Sequence, residues 1–358
     1  MVPISSRGGV RGTPAPNVSP VRRRRLTGLV ASAAVLLGAC GSEGAPPIER
    51  SAAPTTTTAE TTTTTTTTAP VVTTTTTAAP APEGDVVGTS AYTAPRPAQS
   101  AEELAARIAT VEGLVRDPAT TGHALFAAAF EQQVLYRQLA RRAEWEPAVI
   151  AAIPEPYRHA AWANAAARRE FRSMHSKLGD SLPAWRIVEP PPAEELLAHY
   201  RAAQAEFGVP WEILAAVNLV ETGMGRIRGV SVAGAQGPMQ FMPATWAAYG
   251  EGGDVNDPGD AIRGAARYLA ANGGGSGDID NALWNYNHSW KYVAGVKLYA
   301  SVMRQDPATF RGFHQWQIVY LSTMGDVWLP TGFETHQRVP VADHLVRNPW
   351  AHLGNATR

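Results

Sequence analysis

The stretch that most constrains this 358-residue chain runs from Trp211 to Glu221, WEILAAVNLVE. Pro210 suits a first helical position, and Trp211 to Val220 is almost unbroken apolar sequence built from good helix formers, so the segment predicts a helix. It is too short to span a membrane and too poor in polar positions for a surface helix. It belongs in a core. Gly223 and Gly225 stop it just past Glu221. A carboxylate is thereby placed at the negative end of a helix, semi-buried among apolar neighbours, which raises its pKa. A carboxyl group that keeps its proton near neutral pH suits general-acid catalysis. The plain alternative is a solvated glutamate at a frayed helix end.

A glycine-punctuated loop follows, GAQGPMQFMP over residues 234–243, and Pro243 opens a short helix over 244–249. Glu221-Thr222-Gly223, then Ser231, then this loop resembles the Glu-Ser, Ser and Gly-Leu-Met-Gln-x-Met-Pro pattern of the lytic transglycosylases of the lysozyme-like superfamily. Two later segments fit in the same order. AIRGAARYLAANG (261–273) resembles that family's Ala-x-x-Tyr-Leu helix, and ALWNYNHSWKYV (282–293) its Ala-Tyr-Asn segment. Four ordered blocks over roughly 110 residues make a specific signal where a lone Glu-Thr would carry none. They cover about a third of the chain.

The resemblance implies a mainly α fold: a lysozyme-like helical catalytic domain that acts on peptidoglycan glycan strands. It implies cleavage of the β-1,4 bond between N-acetylmuramic acid and N-acetylglucosamine, with a 1,6-anhydro product. Glu221 would be the single catalytic acid and base, with no cofactor and no metal. Ser231 would hydrogen-bond near the acetamido group or Glu221. Met239 and Gln240 would line the sugar cleft, and Tyr286 and Asn287 would sit across from Glu221 to position it. Each has a plainer role available, as core methionine, packed tyrosine or helix-end asparagine. Asn218, one turn before Glu221, would share its face. His288-Ser289-Trp290 departs from the family's usual continuation, and Thr222 stands where Ser is common. The alternatives are a lysozyme-like hydrolase with the same acid, and a non-catalytic peptidoglycan-binding scaffold.

Upstream, residues 1–40 have the form of a targeting segment. Arg22 to Arg25 make a cationic region and Leu26 to Leu37 an apolar one, and Leu37-Gly-Ala-Cys40 resembles the bacterial lipobox. Cys40 is the single cysteine, so no disulfide forms within one chain. Lipidation at Cys40 would hold the protein in the cell envelope, on the outer face of the cytoplasmic membrane; an uncleaved anchor or an ordinary cleavage site is the alternative. The Thr/Ala/Pro-rich composition of residues 41–97 predicts a disordered linker, unable to bury enough apolar surface to fold. Formal net charge is zero, which argues against nucleic acid as a partner.

Residues 98–180 predict a helical accessory module, with helices from a Ser100/Glu103 capping box to about Val115, over 121–142 and over 156–177. It would pack on the catalytic domain or receive a protein partner. Arg141-Arg142 and Arg168-Arg169 offer themselves to anionic wall polymers, against the plainer role of a solvated helix face. A Pro-rich connector (182–192) leads to the catalytic domain over 187–335. There Asp257 and Asp278 predict N-caps for helices at 259–271 and from 279, and Ser289 for one over 290–304. Asp254, Asp257 and Asp260 lack the spacing of a calcium loop. WQIVYLSTMGDVWLP (316–330) predicts a small β-hairpin, and residues 336–358 a patternless C-terminal tail.

Overall fold

Ser100 starts the first helix as expected, its hydroxyl accepting the Glu103 N–H at 3.2 Å. A computed structural model of the chain describes residues 94–353, Val232 excepted; the expected leader with Cys40, and the linker before residue 94, lie outside the described residues. Four helices come first: α1 (Ala101–Arg116), α2 (Gly122–Arg141), α3 (Glu146–Ala152) and α4 (Glu155–Ser173). Two short strands follow, β1 (Ser181–Leu182) and β2 (Arg186–Ile187). Then come α5 (Ala193–Phe207), α6 (Trp211–Thr222), β3 (Ile227–Arg228), α7 (Pro243–Tyr249), α8 (Pro258–Ala271), α9 (Ile279–Tyr286), α10 (Trp290–Gln305) and α11 (Phe310–Gln315). The hairpin β4 (Ile318–Ser322) and β5 (Gly325–Leu329), β6 (Val339–Pro340) and α12 (Val341–Arg347) complete the order. The fold is mainly helical.

Helix α6 is the axis. Every residue from Glu212 to Thr222 is buried, as an all-round apolar helix requires, and α5, α8 and α10 enclose it. The cap residues do what their chemistry predicts: Asp257, Asp278 and Ser289 accept the N–H groups of Asp260, Asn281 and Tyr292.

The N-terminal helices share the main core with this set. Helix α4 lies along α10, and Leu104, Leu135 and Phe171 belong to the same apolar cluster as Leu214 and Val296. Helix α2 grips the hairpin. Gln133 exchanges two bonds of 2.9 Å with the backbone of Gln317, and Phe130 packs on Trp328 with ring centres 4.7 Å apart. Asp326 on β5 is fully buried and accepts from the guanidiniums of Arg137 and Arg141.

Three expectations need correction. The gap left between the helices expected over 121–142 and 156–177 holds helix α3, because Pro147 sits in its first turn, where the missing N–H costs nothing. The 182–192 connector and the 336–358 tail both carry strands: Ser181 pairs with Pro340, Arg186 with Arg228, and Leu182 with Val339. Among the described residues there are therefore three two-stranded sheets where one hairpin was expected. Among the described residues no helix is long and apolar enough to cross a membrane.

Candidate active site

Glu221 occupies the last turn of α6 with no exposed surface. The helix ends there because Gly223 takes the left-handed conformation, φ +62°. A Cβ at this glycine would lie 2.6 Å from Ile318 Cδ1, so strand β4 seals the helix end directly behind the acid. One carboxyl oxygen, Oε1, accepts the Tyr292 hydroxyl at 2.8 Å. The other, Oε2, is shielded and has no partner among the described residues. Burial pushes the Glu221 carboxyl up to about 8, against the smaller lowering effect of the Tyr292 bond. No second carboxylate contributes among the described residues. At pH 7 the group holds its proton.

The loop beside it is built from the backbone outward. Gln236 and Phe241 exchange bonds of 2.9 and 2.8 Å, closing a tight turn over Gly237, Pro238, Met239 and Gln240. Gly237 adopts φ +71°, and a Cβ there would meet the Val255 carbonyl at 1.9 Å, so the position admits only glycine. Three side chains hold the turn. Asn218 Nδ2 and Thr222 Oγ1 both donate to the Pro238 carbonyl, at 2.8 and 2.6 Å, and the Tyr286 hydroxyl donates to the Met239 carbonyl at 2.6 Å. Tyr200 in turn fixes Asn218 by donating to its Oδ1 at 2.7 Å. Gln240 sits at φ +50°, a strained value for a residue with a side chain; its Nε2 returns to Gly237, while its buried Oε1 is unpartnered.

The structure redistributes the expected roles. Tyr286 holds the loop instead of the acid. The phenol that touches Glu221 belongs to Tyr292, whose ring stacks parallel to Tyr286 at 6.5 Å. Ser231 closes its own turn, accepting the Ala235 N–H at 2.9 Å, and does not reach Glu221. Met239 is fully buried in the main core rather than lining a cleft, since the turn that fixes its carbonyl directs the side chain inward. Asn287 caps the end of α9 and is buried. Tyr292 itself was missed. The available signal was a polar-tipped aromatic on the same face of α10 as Val296 and Tyr299. His288 packs edge-on against Trp284, and Trp290 is 64 % exposed beside them.

A lone buried acid at the end of an enclosed helix, faced by a phenol and a pinned glycine loop in a mainly helical fold, agrees with the lysozyme-like catalytic domain that the sequence resemblance implies. Residues 199–299 match the family model described as the transglycosylase SLT domain, and these residues form such a domain. The match spans α5 from His199 through most of α10, including Glu221, the pinned loop, Tyr286 and Tyr292. Domains of this family act on peptidoglycan as lytic transglycosylases. No curated protein and no solved structure matches the chain.

Proposed function

We propose that this protein cleaves the β-1,4 bond between N-acetylmuramic acid and N-acetylglucosamine with Glu221 as its single acid and base. The observation that carries the reading is the environment of Glu221: enclosed, protonated at neutral pH, held through Oε1 by Tyr292 and unpartnered at Oε2. The proton on the carboxyl passes to the glycosidic oxygen as its bond to the muramyl C1 breaks. The carboxylate left behind is a buried anion, hence a strong base. It takes the proton of the muramyl C6 hydroxyl as that oxygen closes on C1, giving a 1,6-anhydro sugar and regenerating the acid. No water is consumed and no second carboxylate is required, which agrees with the absence of one acting on Glu221 among the described residues.

The reading requires an opening movement, because Oε2 is shielded from solvent. Trp290 and Trp284, with ring centres 6.4 Å apart and Trp290 two residues from Tyr292, offer an exposed aromatic surface on which a sugar face can stack. We further infer export and anchoring through Cys40, on the strength of the leader alone.

The test is digestion of purified peptidoglycan by the protein and by its Glu221→Gln variant, with mass spectrometry of the released muropeptides. Products one water lighter than reducing-end sugars, absent with the variant, are expected. Ordinary reducing ends would mean hydrolysis. Binding without release by either protein would mean a scaffold.

A further inference from the structure

Five arginines from two helices converge on one cavity. Arg137 and Arg141 of α2 and Arg168, Arg169 and Arg172 of α4 line a space of about 620 Å³, closed on its other side by Leu321 to Met324 of the hairpin and by His352. Two carboxylates answer them. Asp326 accepts from Arg137 and Arg141, and Glu146 from Arg169 at 2.5 Å. Three positive charges are left over. Arg168 makes no hydrogen bond among the described residues, and Arg172 is exposed and donates only to the His175 carbonyl at 2.9 Å. The Lys291 ammonium adds a further cation near the rim, bonded to the carbonyl of Ser173. Burial, and then the charge of Arg137, push Arg168 down to about 9; the charge of Asp326, already shared by Arg137 and Arg141, offsets them only in part.

Such an excess is unfavourable unless something fills it. Guanidiniums present forked donors that match the oxygens of phosphate or carboxylate. Here the surplus exceeds what one carboxylate balances, and the volume lies within the range of a small-molecule pocket. We propose that the α2–α4–hairpin cavity is a binding site for an anion carrying two linked or closely spaced phosphates, held chiefly by Arg168 and Arg172. The site is separate from Glu221. Its inner wall, Arg137 and Arg168, also borders a smaller cavity that reaches Leu219, Val220 and Gly223 around the acid's helix end.

Calorimetric titration of the protein with inorganic pyrophosphate tests this. One-to-one binding is expected, at least tenfold tighter than orthophosphate. Arg168→Gln and Arg172→Gln should each weaken it tenfold or more, while Arg201→Gln on α5 leaves it unchanged. Arg168→Gln should melt no lower than the wild type, since it removes an unbalanced cation, so lost binding is not lost folding. Displacement of pyrophosphate by a glycerol-phosphate polymer would assign the site to an envelope polymer, and displacement by a soluble diphosphate ester alone to a small molecule. No pyrophosphate binding, equal affinity for citrate, or full binding by Arg168→Gln would overturn the proposal.

Discussion

The hydroxyl of Tyr292 holds one oxygen of Glu221 at 2.8 Å and leaves the other without a protein partner. One oxygen is thus anchored, and the other is left for the proposed proton transfer. Tyr292→Phe should fold normally and lower kcat roughly ten- to a hundredfold, at or below the roughly 10²- to 10⁴-fold of a group that transfers the proton itself, because Tyr292 acts through Glu221. Because the Tyr292 bond lowers the Glu221 pKa, its loss should also move the alkaline limb of the pH–rate profile upward. A purely structural role for Tyr292 would leave that limb in place, so the profile is the deciding measurement.

Glu221 makes the wild type's stability fall as pH rises. Its folded pKa is raised from 4.5 to about 8, so the folded state binds the extra proton across that window. The full benefit exists below 4.5 and is lost as pH climbs through 8, a swing on the order of 5 kcal/mol. Glu221→Gln mimics the protonated acid at every pH. Thermal melts should coincide near pH 5, and the variant should melt higher by pH 8. A constant gap across this range would count against a buried, protonated Glu221.

Asp326 works in the opposite sense. The guanidiniums of Arg137 and Arg141 hold its carboxyl well below the usual range, overcoming burial. Asp326→Asn strands those cations and should cost about 3–5 kcal/mol, read as a loss of Tm on the order of 10 °C. The benefit of Asp326 is present above the unfolded carboxylate pKa of 3.8 and disappears as pH falls through the folded value. The difference between the two proteins should therefore hold from pH 7 to about 4 and shrink only below.

Trp290, the first residue of the helix that carries Tyr292, exposes 64 % of its surface. If it stacks on a sugar away from the broken bond, Trp290→Ala should raise KM about fivefold to twentyfold and leave kcat within about twofold, the pattern of lost uniform binding. A fall in kcat alone would place Trp290 in the chemistry instead.

What could be read in the sequence was local. The apolar run of α6, its glycine stop and the caps at Asp257, Asp278 and Ser289 each depend on residues within a turn or two of one another, and they stand as expected. The position of Glu221 followed from the same logic. Tyr292 did not, because its meeting with Glu221 depends on how α10 lies against α6, across 71 residues. Strands β1 and β6 were invisible for a similar reason. Two-residue strands have no periodicity, and the pairing of Ser181 with Pro340 is decided only when distant segments meet. Helix α3 was hidden by Pro147, since a proline marks a first turn as readily as a break.

The bond between Arg137 and Asp326 joins residues 189 apart, and this separation has a consequence for biosynthesis. At 5–20 residues per second, α2 leaves the ribosome roughly ten to forty seconds before the strand that covers it. Through that interval Phe130, Val134 and Arg137 lack their hairpin partners, and Gly223, once made, still lacks the Ile318 side chain that seals the acid's helix. A chain released before Ile318 cannot complete this enclosure. An enzyme proposed to cut its own cell's wall thus acquires its catalytic environment only after the chain has been made through Ile318, some hundred residues past the acid itself.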